Sequence, residues 1–318
     1  MPAPCVAIVD IGSNTIKLLV AAAAAPGGLA TLAFRTIDAR ISAGLSQAHP
    51  RLGEEGMARG VSAICELLTE AARHQPAHIA LVATSAVRDA SNGAEFCARV
   101  QAATGHTVRI LSGEAEANAI GRGLTCDPAL GALQDFYVFD LGGGSLECLA
   151  FRARRVVQAL SLPLGCVRLT ERFVGDASQP VSAAASAQVM VHTRQQLGDS
   201  GFRFALPPPA DAVFAGGSMT TIRAILAAAS GVELSACPAR VELSAIRQLH
   251  ARVAALPLAE RARQISGLPP ARADVFPVAL ATMIAVAESA GVTAFQHTFY
   301  NLRYGFAADL LANAPRPG

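Results

Sequence analysis

The start of the chain groups its hydrophobic positions into short runs, separated by polar and turn residues, in the manner of β-strands. Apolar runs occupy 5–10, 16–25 and 29–37, and turn residues separate the first two runs. Runs of this length, bounded by glycine and asparagine, are typical of strands. The pattern therefore predicts a hairpin with a glycine-containing loop at its tip, followed by a third strand.

Helical periodicity follows the third strand. Between 54 and 73, apolar residues recur with spacings of three and four, which predicts an amphipathic helix. Ser112 precedes another helical pattern and has the side chain of a good N-cap. Strands are predicted at 78–84 and 108–111, and helices at 93–104 and 114–121. This alternation favours an α/β layer fold.

A second round of strands begins after residue 127. The apolar run at 276–287 is too short to span a bilayer and is followed by a glutamate, so it predicts a buried helix. Strands are predicted at 136–140, 146–151, 156–160 and 212–214, and a helix at 219–229, with the remainder to residue 318 mainly helical.

The two rounds share a repeat that needs no gap. Residues 7–19 can be aligned with residues 137–149, so that Asp10 matches Asp140. Both segments read as an apolar strand, Asp, an apolar residue, Gly, small residues, a hydroxyl residue, and then an apolar, a charged and an apolar residue. Self-similarity of this kind predicts two related hairpins, about one domain apart.

Each hairpin loop has chemistry suited to phosphate. Small residues let backbone N–H groups approach and cradle phosphate oxygens. An aspartate at the strand end, here Asp10 or Asp140, can hold Mg²⁺ through water. The alternative is a pair of ordinary glycine turns. The candidate phosphate-binding residues are Gly12, Ser13, Asn14, Thr15, Gly142, Gly143, Gly144 and Ser145.

A third loop, made of Gly216, Gly217 and Ser218, leads from a strand into a helix. The N-terminus of a helix favours anions, so this loop is a further phosphate-binding candidate. The alternative is a tight strand–helix turn.

Two charged residues have catalytic potential. Arg88 lies just past a predicted strand end, where ligand sites of α/β sheets collect, and could clamp phosphate. The alternative for Arg88 is a surface ion pair with Asp89. Glu114 is explained by the helix dipole, but Glu116 faces another side of the helix, where a carboxylate could deprotonate an attacking water.

Composition narrows the class of protein. The net charge of +2 gives no global reason to expect nucleic-acid binding. The seven cysteines form no Cys-x-x-Cys pair, and the first residues lack the basic region of a signal peptide. We therefore expect a cytoplasmic protein with reduced thiols and no membrane partner. No Gly-x-Ser-x-Gly or Walker pattern is present, which argues against a serine hydrolase or a P-loop NTPase.

The candidate residues belong to motifs that follow one another along the chain. They are Val-Asp-Ile-Gly-Ser-Asn-Thr at 9–15, Ala-Thr-Ser-Ala-Val-Arg-Asp at 83–89, Leu-Ser-Gly-Glu-Ala-Glu-Ala at 111–117, Phe-Asp-Leu-Gly-Gly-Gly-Ser-Leu-Glu at 139–147, Leu-Pro-Leu-Gly-Cys-Val-Arg-Leu-Thr at 162–170, Gly-Gly-Ser at 216–218 and Arg-Ala-Asp-Val at 272–275. In these motifs and their order, the chain resembles the exopolyphosphatase and guanosine pentaphosphate phosphohydrolase (Ppx/GppA) family of the actin-like ATPase superfamily.

The resemblance implies a fold. It is an α/β fold of two ribonuclease-H-like domains, with mixed sheets flanked by helices and the active site in the interdomain cleft. The expected domains are 1–125 and 126–305, and a helix at about 306–314 within 306–318 is expected to pack back on the first domain.

The resemblance also implies roles for individual residues. Glu116 is similar to the catalytic carboxylate that activates water, and Arg88 to the phosphate-binding arginine. Asp140 and Glu147 resemble metal-associated acids, with Asp10 as a further metal candidate, and 142–145 resembles the phosphate loop. The chain departs from the family's pattern at Ala115, where a second glutamate is common, and at Leu146, where a hydroxyl residue is common.

The implied function is hydrolysis that depends on Mg²⁺ or another divalent cation. The expected substrate is inorganic polyphosphate or guanosine pentaphosphate, and the sequence leaves the choice open, as it does a homodimeric state. One alternative is a nucleotide-binding kinase or ATPase of the same superfamily. The other is a non-catalytic sensor of guanosine penta- or tetraphosphate.

Overall fold

The chain forms two compact units in a computed structural model that describes residues 4–24, 28–42, 44, 46–47 and 49–313. Unit 1 comprises Met1–Ala132 together with Tyr300–Gly318, and unit 2 comprises Leu133–Phe299. The chain therefore changes unit at 132/133 and 299/300, whereas the sequence predicts boundaries at 125/126 and 305/306.

Strands and helices alternate along both units. The strands are β1 (Cys5–Ile11), β2 (Ile16–Ala24), β3 (Gly28–Ile37), β4 (His78–Ala83), β5 (Val108–Ile110), β6 (Phe136–Leu141), β7 (Leu146–Arg152), β8 (Arg155–Leu162), β9 (Asp211–Ala215), β10 (Arg240–Glu242) and β11 (Ala294–His297). The helices are α1 (Glu54–Ala72), α2 (Ser85–Arg88), α3 (Gly93–Thr104), α4 (Gly113–Thr125), α5 (Cys166–Phe173), α6 (Ala183–Asp199), α7 (Gly217–Ser230), α8 (Leu243–Ala254), α9 (Leu258–Gln264), α10 (Phe276–Ala290) and α11 (Leu302–Asn313). Short 3₁₀ turns lie at Pro128–Leu130 and Pro270–Arg272.

The two sheets have the same arrangement of their first strands. In unit 1 the order is β3-β2-β1-β4-β5, with β1, β2 and β3 antiparallel and β4 and β5 parallel to β1. In unit 2 the order is β10-β11-β9-β6-β7-β8, and β8-β7-β6-β9-β11 repeats the unit 1 pattern. These mixed sheets, flanked by helices, confirm the predicted fold class, and each places a hairpin loop directly after its first strand.

The segment after α7 is mainly helical, as predicted, but it also contains two short strands, β10 and β11, that the sequence did not predict. β11 has only four residues, too few to show strand alternation, and it is held by pairing with β9 on one side and β10 on the other. Tertiary pairing therefore decides its conformation. The predicted strand end at Ala25 and helix end at Ala314 lie outside the described residues.

The core of unit 2 is built on aromatic residues of the central strands. The ring of Phe295 packs edge-on against the rings of Phe139 and Phe214, at centroid distances of 6.1 and 5.0 Å. Helix α10 is buried from Phe276 to Ala287, as its apolar run predicts. No helix of the described residues combines the length and apolar character needed to cross a bilayer.

The C-terminal helix α11 packs closely on α4 within unit 1. A Cβ atom added at Gly123 would lie 2.0 Å from the carbonyl oxygen of Asn301, and one added at Gly305 would lie 2.0 Å from that of Ala119. Glycine is required at both positions because the backbones of the two helices touch there. This contact fixes α4, the helix that carries Glu116.

We predict that Gly123→Ala lowers the free energy of unfolding by at least about 1 kcal/mol, because the added methyl group overpacks the α4–α11 contact. Urea unfolding measures the change. Gly198→Ala is the matched control, since Gly198 is an exposed residue of α6 with no atom within 4 Å of the added Cβ. The control is expected to be neutral or stabilising. Equal stability of wild type and Gly123→Ala would contradict the close contact.

Candidate active site

The first candidate loop, Gly12 to Thr15, is closed by a hydrogen bond from the Gly12 N–H to the Thr15 carbonyl at 3.2 Å. The segment after β3 holds the loop from one side. The Arg40 N–H donates to the carbonyl of Asn14 at 2.9 Å, and the Ser42 hydroxyl donates to that of Ser13 at 3.1 Å. In a trans peptide the C=O and the next N–H point in opposite directions. The N–H groups of Asn14 and Thr15 therefore face away from this segment.

The side chain of Asn14 adds a donor at the same loop. It is buried, and its Nδ2 has no hydrogen-bond partner among the described residues. A buried donor without a partner is costly unless a ligand or water satisfies it. This observation is consistent with an anion-binding role for the loop.

The second candidate loop, Gly142 to Ser145, is built in the same way. The Gly142 N–H donates to the Ser145 carbonyl at 3.0 Å. The first residues of α5 form hydrogen bonds with the carbonyl groups of this loop. The N–H of Cys166 donates to the carbonyl oxygen of Gly142 at 3.0 Å, and the N–H of Val167 donates to that of Gly143 at 2.9 Å.

The guanidinium of Arg168 completes this hold by donating from Nε to the Gly144 carbonyl at 3.0 Å. With the carbonyls of residues 142–144 turned toward α5, the N–H groups of residues 143–145 face the opposite way. They form a row of backbone donors of the kind that binds phosphate oxygens.

Gly165 allows α5 to approach this loop. A Cβ atom at Gly165 would lie 2.3 Å from the carbonyl carbon and oxygen of Gly143. The sequence motif at 162–170 contains this glycine but does not predict its role. The structure shows that the glycine lets the helix N-terminus reach the loop carbonyls.

We predict that Gly165→Ala weakens phosphate binding, because the methyl group must displace backbone of the second loop. The substrate KM for phosphate release should rise at least tenfold. Gly175→Ala, with no atom within 4 Å of the added Cβ, should leave KM unchanged. An unaltered KM in Gly165→Ala would show that binding does not depend on the shape of the loop.

Two carboxylates share one face of the unit 2 sheet beside this loop. Asp140 on β6 lies directly opposite Glu147 on β7, and Glu147 lies opposite Ser161 on β8. Directly opposed residues of antiparallel strands point to the same face. The hydroxyl of Ser161 donates a hydrogen bond to Oε1 of Glu147 at 2.7 Å, and Glu147 is only 2% exposed.

The donor set of Asp140 and Glu147 fits magnesium. Mg²⁺ is usually held by one or two carboxylates, with water and substrate phosphates completing its shell. A self-sufficient cluster of three or more His, Cys, Asp or Glu residues is absent from the described residues. The ion would therefore take the rest of its ligands from water and from substrate phosphate.

The third candidate loop contacts Asp140. Gly216 has φ +89°, and a Cβ there would lie 2.3 Å from Oδ1 of Asp140. Both the backbone conformation and the contact require glycine. The next residue, Gly217, begins α7 and lies against the guanidinium of Arg272. A Cβ atom added at Gly217 would lie 2.0 Å from Nη2 of Arg272. Arg272 belongs to the sequence motif at 272–275, which does not predict its position at this helix N-terminus.

A buried histidine supports the third loop. Nδ1 of His297 lies 2.8 Å from Nη1 of Arg223, and Nε2 lies 3.3 Å from the hydroxyl of Thr220. Arginine can only donate, so Nδ1 accepts and the ring proton is on Nε2. The Thr220 hydroxyl in turn donates to the carbonyl of Gly216 at 3.1 Å. This chain of hydrogen bonds orients the first peptide of the loop.

We predict an acid-dependent loss of stability from His297. Burial and the Arg223 guanidinium lower its pKa from 6.5 to about 3. Between these values the unfolded chain binds a proton that the folded chain does not, so stability falls as pH drops, by up to about 1.4 kcal/mol per pH unit.

The test is urea unfolding of wild type and His297→Asn from pH 7 to pH 4. The difference in stability between the two proteins should shrink as pH falls, because asparagine does not titrate. His49→Asn, at an exposed position, is the control and should follow wild type. A constant difference across the range would contradict the proposed titration.

Arg88 and Glu116, predicted independently, are brought together in unit 1. Nη1 of Arg88 donates to Oε2 of Glu116 at 2.9 Å and to the Leu111 carbonyl at 3.2 Å. Glu116 is buried in the first turn of α4, whose N-cap is Ser112, as predicted. Arg88 also forms the ion pair with Asp89 that was the alternative to a functional role, at 3.2 Å. Both the ion pair with Asp89 and the contact with Glu116 are therefore present.

Asp10 has a different environment from Asp140. Its Oδ2 accepts from Nη1 of Arg303, a residue of α11, at 2.9 Å, and it lies opposite Lys17 on β2. The repeat thus places a cationic partner at the first hairpin and a second carboxylate, Glu147, at the other. Arg303 was not predicted, since it is 293 residues from Asp10 in sequence.

The fold and these sites define a class of protein: an α/β protein with two mixed sheets, each carrying a glycine-rich loop next to an aspartate. The sequence model of the Ppx/GppA phosphatase family matches residues 19–314. The chain belongs to this family, which supports phosphohydrolase chemistry.

Solved structures of similar proteins agree with the fold. A Ppx/GppA family member from Aquifex aeolicus superposes with a TM-score of 0.78 at 22% identity, covering 99% of this chain and 100% of that one. An exopolyphosphatase from Cytophaga hutchinsonii gives a TM-score of 0.86 at 21% identity, covering 98% and 99%. At these identities the likeness shows the fold, while the roles of the site residues stay predictions.

Proposed function

We propose that the chain is a hydrolase that releases terminal phosphate from inorganic polyphosphate or guanosine pentaphosphate, with Mg²⁺ as its cofactor. Membership of a phosphatase family supports the reaction class. The single observation that carries the proposal is the contact of 2.9 Å between Arg88 and Glu116. It brings a phosphate-binding cation and a buried carboxylate within reach of one small group.

In this proposal the terminal phosphate competes with Glu116 for the guanidinium of Arg88. Phosphate oxygens match the fork geometry of arginine. When Arg88 turns to them, Glu116 gains an acceptor site for a water molecule. Glu116 removes a proton from this water as its oxygen attacks the terminal phosphorus, and the bond from phosphorus to the bridging oxygen breaks. The leaving phosphate keeps the electron pair and needs no proton.

The groups of unit 2 are suited to neutralising the charge of a phosphate chain. Asp140 and Glu147 would hold the metal ion, which when bound lowers the negative charge that develops on the phosphates. The N–H groups of residues 143–145 donate to phosphate oxygens, as do those at the N-terminus of α7. Backbone dipoles fixed in advance stabilise such charge without reorganising during the reaction. Arg272, against Gly217, adds a cation at the same loop.

Polyphosphate and guanosine pentaphosphate offer the same terminal phosphoanhydride to this machinery. The groups described above would act on the terminal phosphates, the attacking water and the metal ion, and none of them is assigned to the rest of the substrate. We therefore propose activity toward a terminal phosphate on either carrier, and the assay uses both.

We predict that Glu116→Gln lowers kcat for phosphate release by about 100-fold or more, since the general base is lost. The assay measures orthophosphate from long polyphosphate, short polyphosphate and guanosine pentaphosphate with Mg²⁺. Glu114→Gln is the control, because Glu114 is exposed in the same helical turn, and it should retain wild-type kcat.

Full activity of Glu116→Gln would overturn the assignment of the base. Two results would replace the proposed function. Transfer of phosphate from ATP to an acceptor, without polyphosphate turnover, would indicate a kinase. Tight binding of guanosine tetraphosphate without phosphate release from any substrate would indicate a sensor.

A further inference from the structure

The buried ion pair of Asp10 and Arg303 joins the two ends of the chain. Nη1 of Arg303 donates to Oδ2 of Asp10 at 2.9 Å, with side-chain exposures of 3% and 15%. The guanidinium also lies over the ring of Phe34, 5.1 Å from its centroid. Its Nε has no hydrogen-bond partner among the described residues. Asp10 is therefore the carboxylate that balances this buried charge.

The position of Asp10 links this pair to the first candidate loop. Asp10 is the residue before the last of β1, and Gly12 starts the loop. A side chain fixed at this point restrains the strand end from which the loop begins. Arg303 thus acts on the loop from α11, a helix near the other end of the chain.

The same helix also supports Glu116. The backbone of α11 touches that of α4 at Gly305 and Gly123, and Glu116 lies in the first turn of α4. Helix α11 therefore contacts two parts of unit 1: the strand end before the first candidate loop, and the helix that carries the proposed base, Glu116.

The charges near Asp10 oppose metal binding there. A guanidinium already occupies one of its oxygens, and Lys17 lies opposite on β2. A divalent cation brought to this carboxylate would meet a buried positive charge close by. At the equivalent position of the second hairpin, Asp140 lies opposite Glu147 instead, and the paired carboxylates favour the cation.

We propose that Arg303 is a positioning residue of the catalytic machinery, and that Asp10 is its fixed counter-ion instead of a metal ligand. The positioning role of Arg303 rests on the proposed function, but the ion pair itself can be tested without turnover. It predicts that Asp10 and Asp140, equivalent in the repeat, respond differently to substitution.

The first experiment separates metal binding from positioning. Phosphate release is titrated with Mg²⁺ in wild type, Asp10→Asn and Asp140→Asn. Asp140→Asn should raise the Mg²⁺ concentration for half-maximal rate at least tenfold. Asp10→Asn should leave it within twofold while kcat falls. A Mg²⁺ requirement raised equally in both variants would make Asp10 a metal ligand and overturn the proposal.

A second readout needs no catalysis. Electron paramagnetic resonance measures Mn²⁺ bound in the presence of imidodiphosphate, a phosphoanhydride analogue that resists hydrolysis. Asp10→Asn should bind Mn²⁺ as wild type does, whereas Asp140→Asn should lose at least tenfold in affinity. The reverse order would overturn the proposal. If wild type shows this binding but releases no phosphate from any substrate, the proposed function fails while the ion-pair assignment stands.

The role of Arg303 is tested with Arg303→Met, Arg303→Lys and the double variant Asp10→Asn with Arg303→Met. Arg303→Met should lower both Tm and kcat because it leaves the mostly buried carboxylate of Asp10 without its guanidinium partner. The double variant should recover most of the Tm but not kcat, and Arg303→Lys should recover part of kcat. If the double variant recovered full kcat together with Tm, the ion pair of Asp10 and Arg303 would have a structural role alone. That result would overturn the assignment of Arg303 as a positioning residue.

Discussion

The carbonyl groups of each glycine-rich loop accept hydrogen bonds from neighbouring parts of the protein, and the rest of the candidate site depends on this constraint. At the second loop, α5 uses its first N–H groups and the Arg168 guanidinium for this purpose. The segment after β3 does the same at the first loop. Because the peptide is planar and trans, fixing the carbonyls also fixes the N–H groups on the opposite side. Binding donors are thereby oriented before any ligand arrives, which lowers the cost of binding.

The repeat provides the same backbone twice, but with different charges. At the first hairpin a carboxylate meets Arg303 and lies opposite a lysine. At the second hairpin the carboxylate lies opposite another carboxylate and beside the Gly216 turn. Under the proposed function, the same strand–loop–strand geometry serves phosphate with cationic support in one unit and a metal ion in the other. The differences lie in the aligned residues Lys17 and Glu147, and in Arg303, which pairs with the aspartate of the first hairpin.

Much of the site could be predicted from sequence because its signals are local. The hairpins, the Ser112 cap and the matched loops are each encoded in fewer than about fifteen neighbouring residues, and propensity and turn chemistry act over that range. The missing parts depend on distant partners. Arg303 meets Asp10 across most of the chain, Gly165 is explained only by the backbone of Gly143, and β11 is a strand because β9 and β10 flank it. No periodicity in the sequence carries this information.

The central claim is that the N–H groups of the second loop bind phosphate, and ¹H–¹⁵N correlation spectra test it most directly. Wild type is titrated with imidodiphosphate in the presence of Mg²⁺. The amide protons of Gly143, Gly144 and Ser145 should shift downfield together with one dissociation constant, as expected when N–H groups donate to an anion. Unchanged resonances for these amides, while other residues report saturable binding of the same ligand, would contradict the account.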